Sequence, residues 1–429
     1  ISDTPTYVWD VNATNPNGSE GNWVSASASI MEAGKGYIVR VPSAATFTTE
    51  FTGVPNNGEI TLGVGKTLNT QAADDSHWNL IGNPYPSAIN ALSFLNKNTD
   101  LDGNVRIWMH NNAISNTPNP VDSPFYNNFT YNYGDQYVTH NGTGSTPANI
   151  FDGNIASGQG FFVQVLDSSP AGFISFNNSM RFDSSENGYD NSEFYRFNNS
   201  STENQVEKQL MWLSLIQENG QSASTLIGYV DGATNQRDRL YDALGESTDL
   251  GIYSLINDEE MIIQGRSLPF KDSDVVPLGI KIQESGIYTI GINQLEGAHF
   301  VNNDQEIYLE DTYLNLVHNL RNEPYSFTTS EGIINDRFVI RYTNSTLSVN
   351  DVITNNTLVY VKNETLHIKS QNKSIDDVTV YNVTGKQILD YQVNNVHKDF
   401  SEPFIFPRSV YLISITLDDG SVTTRKVVN

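Results

Sequence analysis

No cysteine occurs among the 429 residues, which excludes disulfides, thiolate metal sites and cysteine nucleophiles. Helix signals are almost as scarce. Only Asn90 to Asn96, following Pro86-Ser87, has the composition for about two helical turns. Basic residues are few: 24 Lys and Arg stand against 49 Asp and Glu, a formal charge of -25. Nucleic acid is thereby excluded as a partner, because its affinity comes largely from Lys and Arg displacing counterions. Calcium, cationic surfaces and neutral glycans remain candidates, with plain solubility as the simplest use of the charge. No apolar run approaches the ~20 residues a membrane-spanning helix needs. Nor does a basic-then-apolar leader follow Ile1. The strand-like Thr6-Tyr7-Val8-Trp9 begins almost at once, so the chain reads as a piece of something longer.

Catalytic signatures are missing too. The histidines, His77, His110, His140, His299, His318, His367 and His397, are dispersed, and none belongs to a His-Glu-x-x-His zinc motif. There is no Gly-x-Ser-x-Gly nucleophile elbow. Carboxylates are too numerous for a glycosidase pair to be singled out. The expectation is a non-enzymatic protein without an obligatory cofactor.

What the sequence does hold is strand and turn. Short β-branched or aromatic runs alternate with Gly, Asn and Asp clusters, as in Tyr37 to Val41, Phe161 to Val165 and Phe338 to Tyr342. That spacing predicts an all-β protein of consecutive β-sandwich-like domains. Residues 1–200 form a β-rich region with two related halves, since Ile30 to Val41 and Ile155 to Val165 both place Gly-x-Gly before an aromatic residue and an alternating strand. The glycines suit a tight turn or bulge; without a following helix they do not make a phosphate loop. The polar stretch 183–207 reads as a linker to a second sandwich over 208–345. Residues 347–429 then form a small Ig-like sandwich. Its alternating sets are Leu366/Ile368, Val378/Val380 and Tyr411/Ile413/Ile415/Leu417, with hairpin turns at Gly385 and Asp419-Gly420.

Two local constellations are candidate binding sites. Trp78 and Tyr85, in the turn-rich Trp78 to Ala88, could form an aromatic platform for a glycan together with Trp108, or could pin the loop to its own core. Asp100, Asp102 and Asn104 resemble the opening of a calcium loop. Their glycine comes at the fourth position, however, and Asn111 stands where an EF-hand has Glu, so an acidic turn is the competing reading. Asp231, Asn235 and Asp238 form a weaker candidate of the same kind.

The C-terminal block resembles the type IX secretion sorting domain of exported Bacteroidetes proteins. The matching segments are Leu347 to Asp351, Val378 to Lys386, Val410-Tyr411-Leu412-Ile413 and the basic-apolar end Arg425-Lys426-Val427-Val428. Ser409 stands where the family usually has Gly, and Val359-Tyr360-Val361-Lys362 replaces the common Tyr-Pro-Asn-Pro. The upstream blocks are similar to the C-terminal region of large flavobacterial adhesin-like surface proteins. They share Gly34 to Tyr37, Phe51 to Gly58, Ile227 to Asn235, Ile263 to Phe270 and Asp336 to Tyr342. The resemblance implies passage through the periplasm to the cell surface or medium. It also implies recognition of Gly385, Lys386, Tyr411, Arg425, Lys426, Val427 and Val428 by outer-membrane barrel components, the shuttle protein and the translocon. A glycan or other surface ligand would be taken by the upstream modules. The competing reading makes those modules carbohydrate-binding accessories of an enzyme whose catalytic part lies upstream.

Overall fold

The computed structural model describes residues 6–14, 20–26, 30–39, 52–67, 77–108, 137–181, 207–245, 250–302, 305–344, 357–362, 364–370, 373–382, 386–407, 409–418, 420 and 422–428. Of these, 57% lie in strands and 5% in helix, so the fold is all-β. The short helix falls at Ala91–Lys97. Asn90 caps it, its Oδ1 accepting from the Ser93 N–H at 2.9 Å. Asn98 ends it by turning its side-chain amide back to the Phe94 carbonyl at 2.9 Å. No helix among the described residues is long and apolar enough to cross a membrane.

The chain divides into two compact units, Ile1–Asn344 and Ser345–Asn429. Within the first, a five-stranded sheet runs in the order Trp78–Gly82, Gly160–Gln164, Val105–Trp108, Tyr137–His140, Ser145–Thr146. The two Gly-x-Gly repeats flank one strand of this sheet. Gly160 pairs with Gly82 on one side. On the other, the Gly36 N–H bonds the Leu80 carbonyl at 3.1 Å and the Gly82 N–H bonds the Gly34 carbonyl at 2.8 Å. A Cβ on Gly36 would stand 2.5 Å from Leu80 Cγ, so close approach of the backbone is what that glycine permits. The sheet covers a core centred on Phe94, Phe161 and Phe176.

Residues 208–341 build an eleven-stranded sheet that wraps a second core, including Met211, Leu213, Ile227, Tyr288, Phe338 and Ile340. Its last strand alternates between a buried and a wetter face. Phe338, Ile340 and Tyr342 are buried, while Arg337, Val339 and Arg341 are only partly so. A third apolar cluster, with Leu210, Trp212, Leu226 and Ile263, takes in Ala148 from the preceding block. The blocks on either side of 183–207 therefore pack together inside the first unit; most of the intervening segment lies outside the described residues.

The second unit is a sandwich of two sheets. One holds Thr357–Lys362, Thr365–Ser370 and Asp399–Pro403; the other runs Gln387–His397, Ile375–Asn382, Val410–Leu417, Val422–Val428. Period-two alternation puts Tyr411, Ile413, Ile415 and Leu417 inside, with Leu366, Ile368, Val378 and Val380. Gly420 supplies the left-handed turn residue, φ +80°, of the last hairpin. Gly385 lies outside the described residues.

Candidate functional site

The aromatic residues weighed as a glycan platform are turned inward. Trp78 is buried, and the Arg106 guanidinium lies 4.4 Å from its ring centre. Tyr85 is 2% exposed, donates its hydroxyl to the Gly58 carbonyl at 2.5 Å and carries Arg181 over its ring at 4.8 Å. Burial pushes the Tyr85 phenol above its usual pKa, against the pull of Arg181. Both rings pin a loop instead of presenting a stacking face, which corrects the platform reading for them. Asn83 explains the rest of the motif. Its side-chain amide bonds the Ser87, Ile155 and Ala156 carbonyls while its oxygen accepts from the Tyr85 N–H. Trp108 is half-buried at the end of its strand, opposite Tyr137. A larger aromatic nest escaped the sequence reading. Phe162 stands at its centre, meeting Trp9 at 6.0 Å, Trp23 at 6.1 Å, Tyr137 at 5.9 Å and Trp78 at 6.5 Å, all edge to face. The Trp9–Trp23 cross-strand pair behind it depends on a register no single segment reveals.

The residues weighed as calcium ligands do not converge on an ion. Asp100 is exposed, whereas Asp102 and Asn104 are buried. The Asp102 carboxylate accepts from the Gly103 N–H at 3.0 Å and from the Asn104 amide at 2.7 Å, and faces Arg237 at 3.5 Å. Burial raises the Asp102 pKa, with Arg237 opposing the shift. In the second acidic turn, Asp238 accepts from the Thr234 N–H at 2.5 Å and Asn235 accepts from Ser267. Among the described residues no group of three or more His, Asp or Glu could hold a metal. The Asp102 and Asp238 carboxylates are taken up by the protein itself, while Asn104 Oδ1 is buried without a hydrogen-bond partner.

Two histidine clusters have the right atoms for chemistry and the wrong surroundings. Thr67, His77 and Asp167 line up hydroxyl, imidazole and carboxylate, at 2.8 Å and 2.9 Å. Yet His77 Nδ1 also accepts the Thr67 N–H, and the His77 N–H bonds the Thr67 hydroxyl. With Thr67 and His77 both buried, the hydroxyl and imidazole tie two chain segments together, and only the Asp167 carboxylate is open to solvent. His140 bonds the Ser145 hydroxyl at 2.7 Å, and that hydroxyl donates to the Phe151 carbonyl at 2.8 Å. Burial holds the His140 pKa down to about 3, with Lys208 adding to the shift, so the ring is neutral and Nδ1–H is the donor. A cavity of about 100 Å³ lies beside Arg106, Thr139, Ser224 and Tyr253. That is well under the roughly 300–1,000 Å³ of ordinary ligand pockets, and Arg106 already donates to the Leu244 carbonyl at 2.9 Å.

In the second unit the candidate recognition residues separate by depth. Tyr411 belongs to the core: its ring packs on Phe404 at 5.1 Å and its hydroxyl donates to the Pro407 carbonyl at 2.8 Å. Val427, opposite Tyr411, is also buried. Lys386 and Arg425 are exposed. Arg425 pairs with Ile413, Lys426 with Leu412 and Val428 with Val410, so the two basic positions belong to opposite faces of the sheet. Among the described residues strand Val422–Val428 is the outermost of its sheet.

No curated protein matches the chain. Among solved structures it is similar to Tp47, the 47-kilodalton lipoprotein of Treponema pallidum. That match has 10% identity, covers 52% of this chain and 87% of the other, and has a TM-score of 0.13, too low to carry an argument. A model described as Domain of unknown function (DUF8694) matches residues 346–429. The larger first unit coincides with a second model, matched over residues 2–342, and on that match the chain belongs to the family described as Domain of unknown function (DUF8693).

Proposed function

We propose that Ser345–Asn429 is a folded sorting tag for type IX export, and that Ile1–Asn344 is the adhesin-like region it carries to the cell surface. The observation behind this reading is the self-sufficiency of the last unit. It has its own two sheets and its own core of Leu366, Ile368, Val378, Ile413 and their neighbours. A tag read in its folded state must keep its shape whatever precedes it, and a closed core does that. The exposed Lys386 and Arg425 are cationic marks on a strongly acidic chain, suited to carboxylates on the shuttle protein and translocon. The upstream unit offers extended sheet surface, and the cavity beside Arg106 and Tyr253, at about 100 Å³, is small for a substrate, which fits display better than small-molecule turnover. Of the residues considered for glycan contact only Trp108 is not fully buried, which weakens the carbohydrate-binding alternative.

The test is a periplasmic fluorescent passenger fused to residues 345–429 in a type IX-competent cell. Export to the surface or medium is expected, with retention in a strain lacking the translocon. Truncating residues 420–429 would be a poor control, because it removes a whole strand and uncovers Ile413 and Ile415. Arg425→Ala leaves the core intact and should weaken export. A passenger that stays periplasmic with the intact tag, or leaves equally well without the translocon, would end the assignment.

A further inference from the structure

The fold brings together the two acidic, glycine-bearing turns Asp100 to Asn104 and Asp231 to Asp238. Residues 231–245 leave the strand Ser222–Val230 before its parallel neighbour Glu259–Ser267 begins. On the way they cross onto the block that precedes residues 182–206. Their backbone is bound there at several points. The Gly142 N–H donates to the Leu240 carbonyl at 2.7 Å, and the Thr143 hydroxyl donates to the Tyr241 carbonyl at 2.7 Å. Arg239 reaches further, donating to the Leu101 carbonyl at 3.0 Å and the Leu95 carbonyl at 3.3 Å. Leu240 packs against the core of that block.

The seat is cut to fit by glycine. A Cβ on Gly103 would stand 1.6 Å from the Arg239 carbonyl oxygen, and one on Gly142 would stand 2.7 Å from that of Leu240. Beneath the segment, a Cβ on Gly265 would lie 2.5 Å from Tyr241 Cβ. Neither Gly103 nor Gly142 has a left-handed φ, so what demands glycine is the neighbouring chain and not the local backbone. The segment is also rigid by its own bonding. The buried Asp242 carboxylate accepts from the Asp238 N–H at 2.5 Å and from the Gly265 N–H at 2.9 Å. A loop fixed in this way loses little conformational entropy on docking.

We propose that residues 231–245 are a preformed clasp that locks the two β-blocks of the first unit into one body, independently of the chain connecting them. The bonds above, together with the Trp212 indole N–H on the Ser145 carbonyl at 2.8 Å, make the joint a hydrogen-bonded, packed interface within a single polypeptide. Cutting the connection therefore leaves the blocks assembled.

The experiment places a specific protease site inside residues 183–206 of the full chain, flanked by a flexible spacer, with complete cleavage verified on a denaturing gel. The two fragments are expected to co-elute under native conditions. Gly103→Ala, whose added methyl meets only the clasp backbone, should shorten the lifetime of the cut complex at least tenfold while leaving the uncut chain folded. Arg239→Ala, which removes two cross-block bonds without adding bulk, serves as the second probe should Gly103→Ala fail to fold. Fragments that separate as soon as the wild-type chain is cut would overturn the proposal. So would a Gly103→Ala or Arg239→Ala complex as long-lived as the wild type.

Discussion

Two buried groups of the first unit should make its stability respond to pH in opposite senses, and hide one another. Desolvation raises the Asp242 pKa to about 7 against the help of two backbone N–H donors, while burial lowers that of His140 to about 3. For Asp242 the folded value lies above the unfolded one of about 3.9. Its contribution is therefore full below that value and is lost as pH rises through about 7. For His140 the folded value lies below the unfolded one of about 6.5. Its contribution is full above that and is lost as pH falls toward about 3. Between about pH 4 and 6.5 each supplies a slope of up to about 1.4 kcal/mol per pH unit, with opposite signs. The wild type should be nearly flat there with respect to these two groups. Asp242→Asn should unmask the histidine, so that stability climbs with pH. His140→Gln should unmask the carboxyl, so that stability falls. The two variants should diverge by up to about 2.7 kcal/mol per pH unit. The Asn variant also sets its amide against the Asp238 N–H, lowering stability by about 1–3 kcal/mol at every pH. Denaturant titrations followed by tryptophan fluorescence isolate the effect, because Trp9, Trp23, Trp78, Trp108 and Trp212 all lie in the first unit. Variants whose profiles run parallel to the wild type, and to each other, would refute the reasoning.

Asp102→Ala leaves the Gly103 N–H and the Asn104 amide without their acceptor, while Arg237 keeps Glu259, and should destabilise the first unit by about 1–3 kcal/mol. EDTA should leave the wild-type melting temperature unchanged, and a chelator-sensitive transition would restore the calcium reading. In the second unit, Tyr411→Phe deletes the bond to the Pro407 carbonyl and should cost about 1 kcal/mol. The exposed Arg425→Ala should stay within about 0.5 kcal/mol of wild type. Calorimetry of the second unit's transition measures both, and a larger loss from Arg425 than from Tyr411 would contradict the depth ordering.

The fold class was legible because strand alternation is a local property. Tyr411, Ile413, Ile415 and Leu417 announce a buried face without reference to anything else in the chain, and so do Phe338, Ile340 and Tyr342. The Gly-x-Gly repeat was equally visible, but its use was not, since both copies close on a strand, Trp78–Gly82, that belongs to neither. The candidate sites failed for the same reason. Asp102-Gly103-Asn104 has the local grammar of an ion loop, and only Arg237, far along the chain, reveals that the charge is already answered. Trp78 and Tyr85 look available until Arg106 and Arg181 are seen over their rings. Asp231, Asn235 and Asp238 read only as a weaker ion-loop candidate, because what a segment grips lies elsewhere in the chain.

Among the described residues the last strand, Val422–Val428, has no hydrogen-bonded neighbour in its sheet beyond Val410–Leu417, although Thr357–Lys362 of the other sheet lies close to it. Arg425 stands in the row of that strand that faces the core, opposite Ile413, yet it is exposed. A second copy adding itself edge to edge would have to enclose this guanidinium against apolar side chains, where an unpaired charge is strongly disfavoured. The same residue that would mark the unit for a partner would thus also oppose edge-to-edge addition of a second copy.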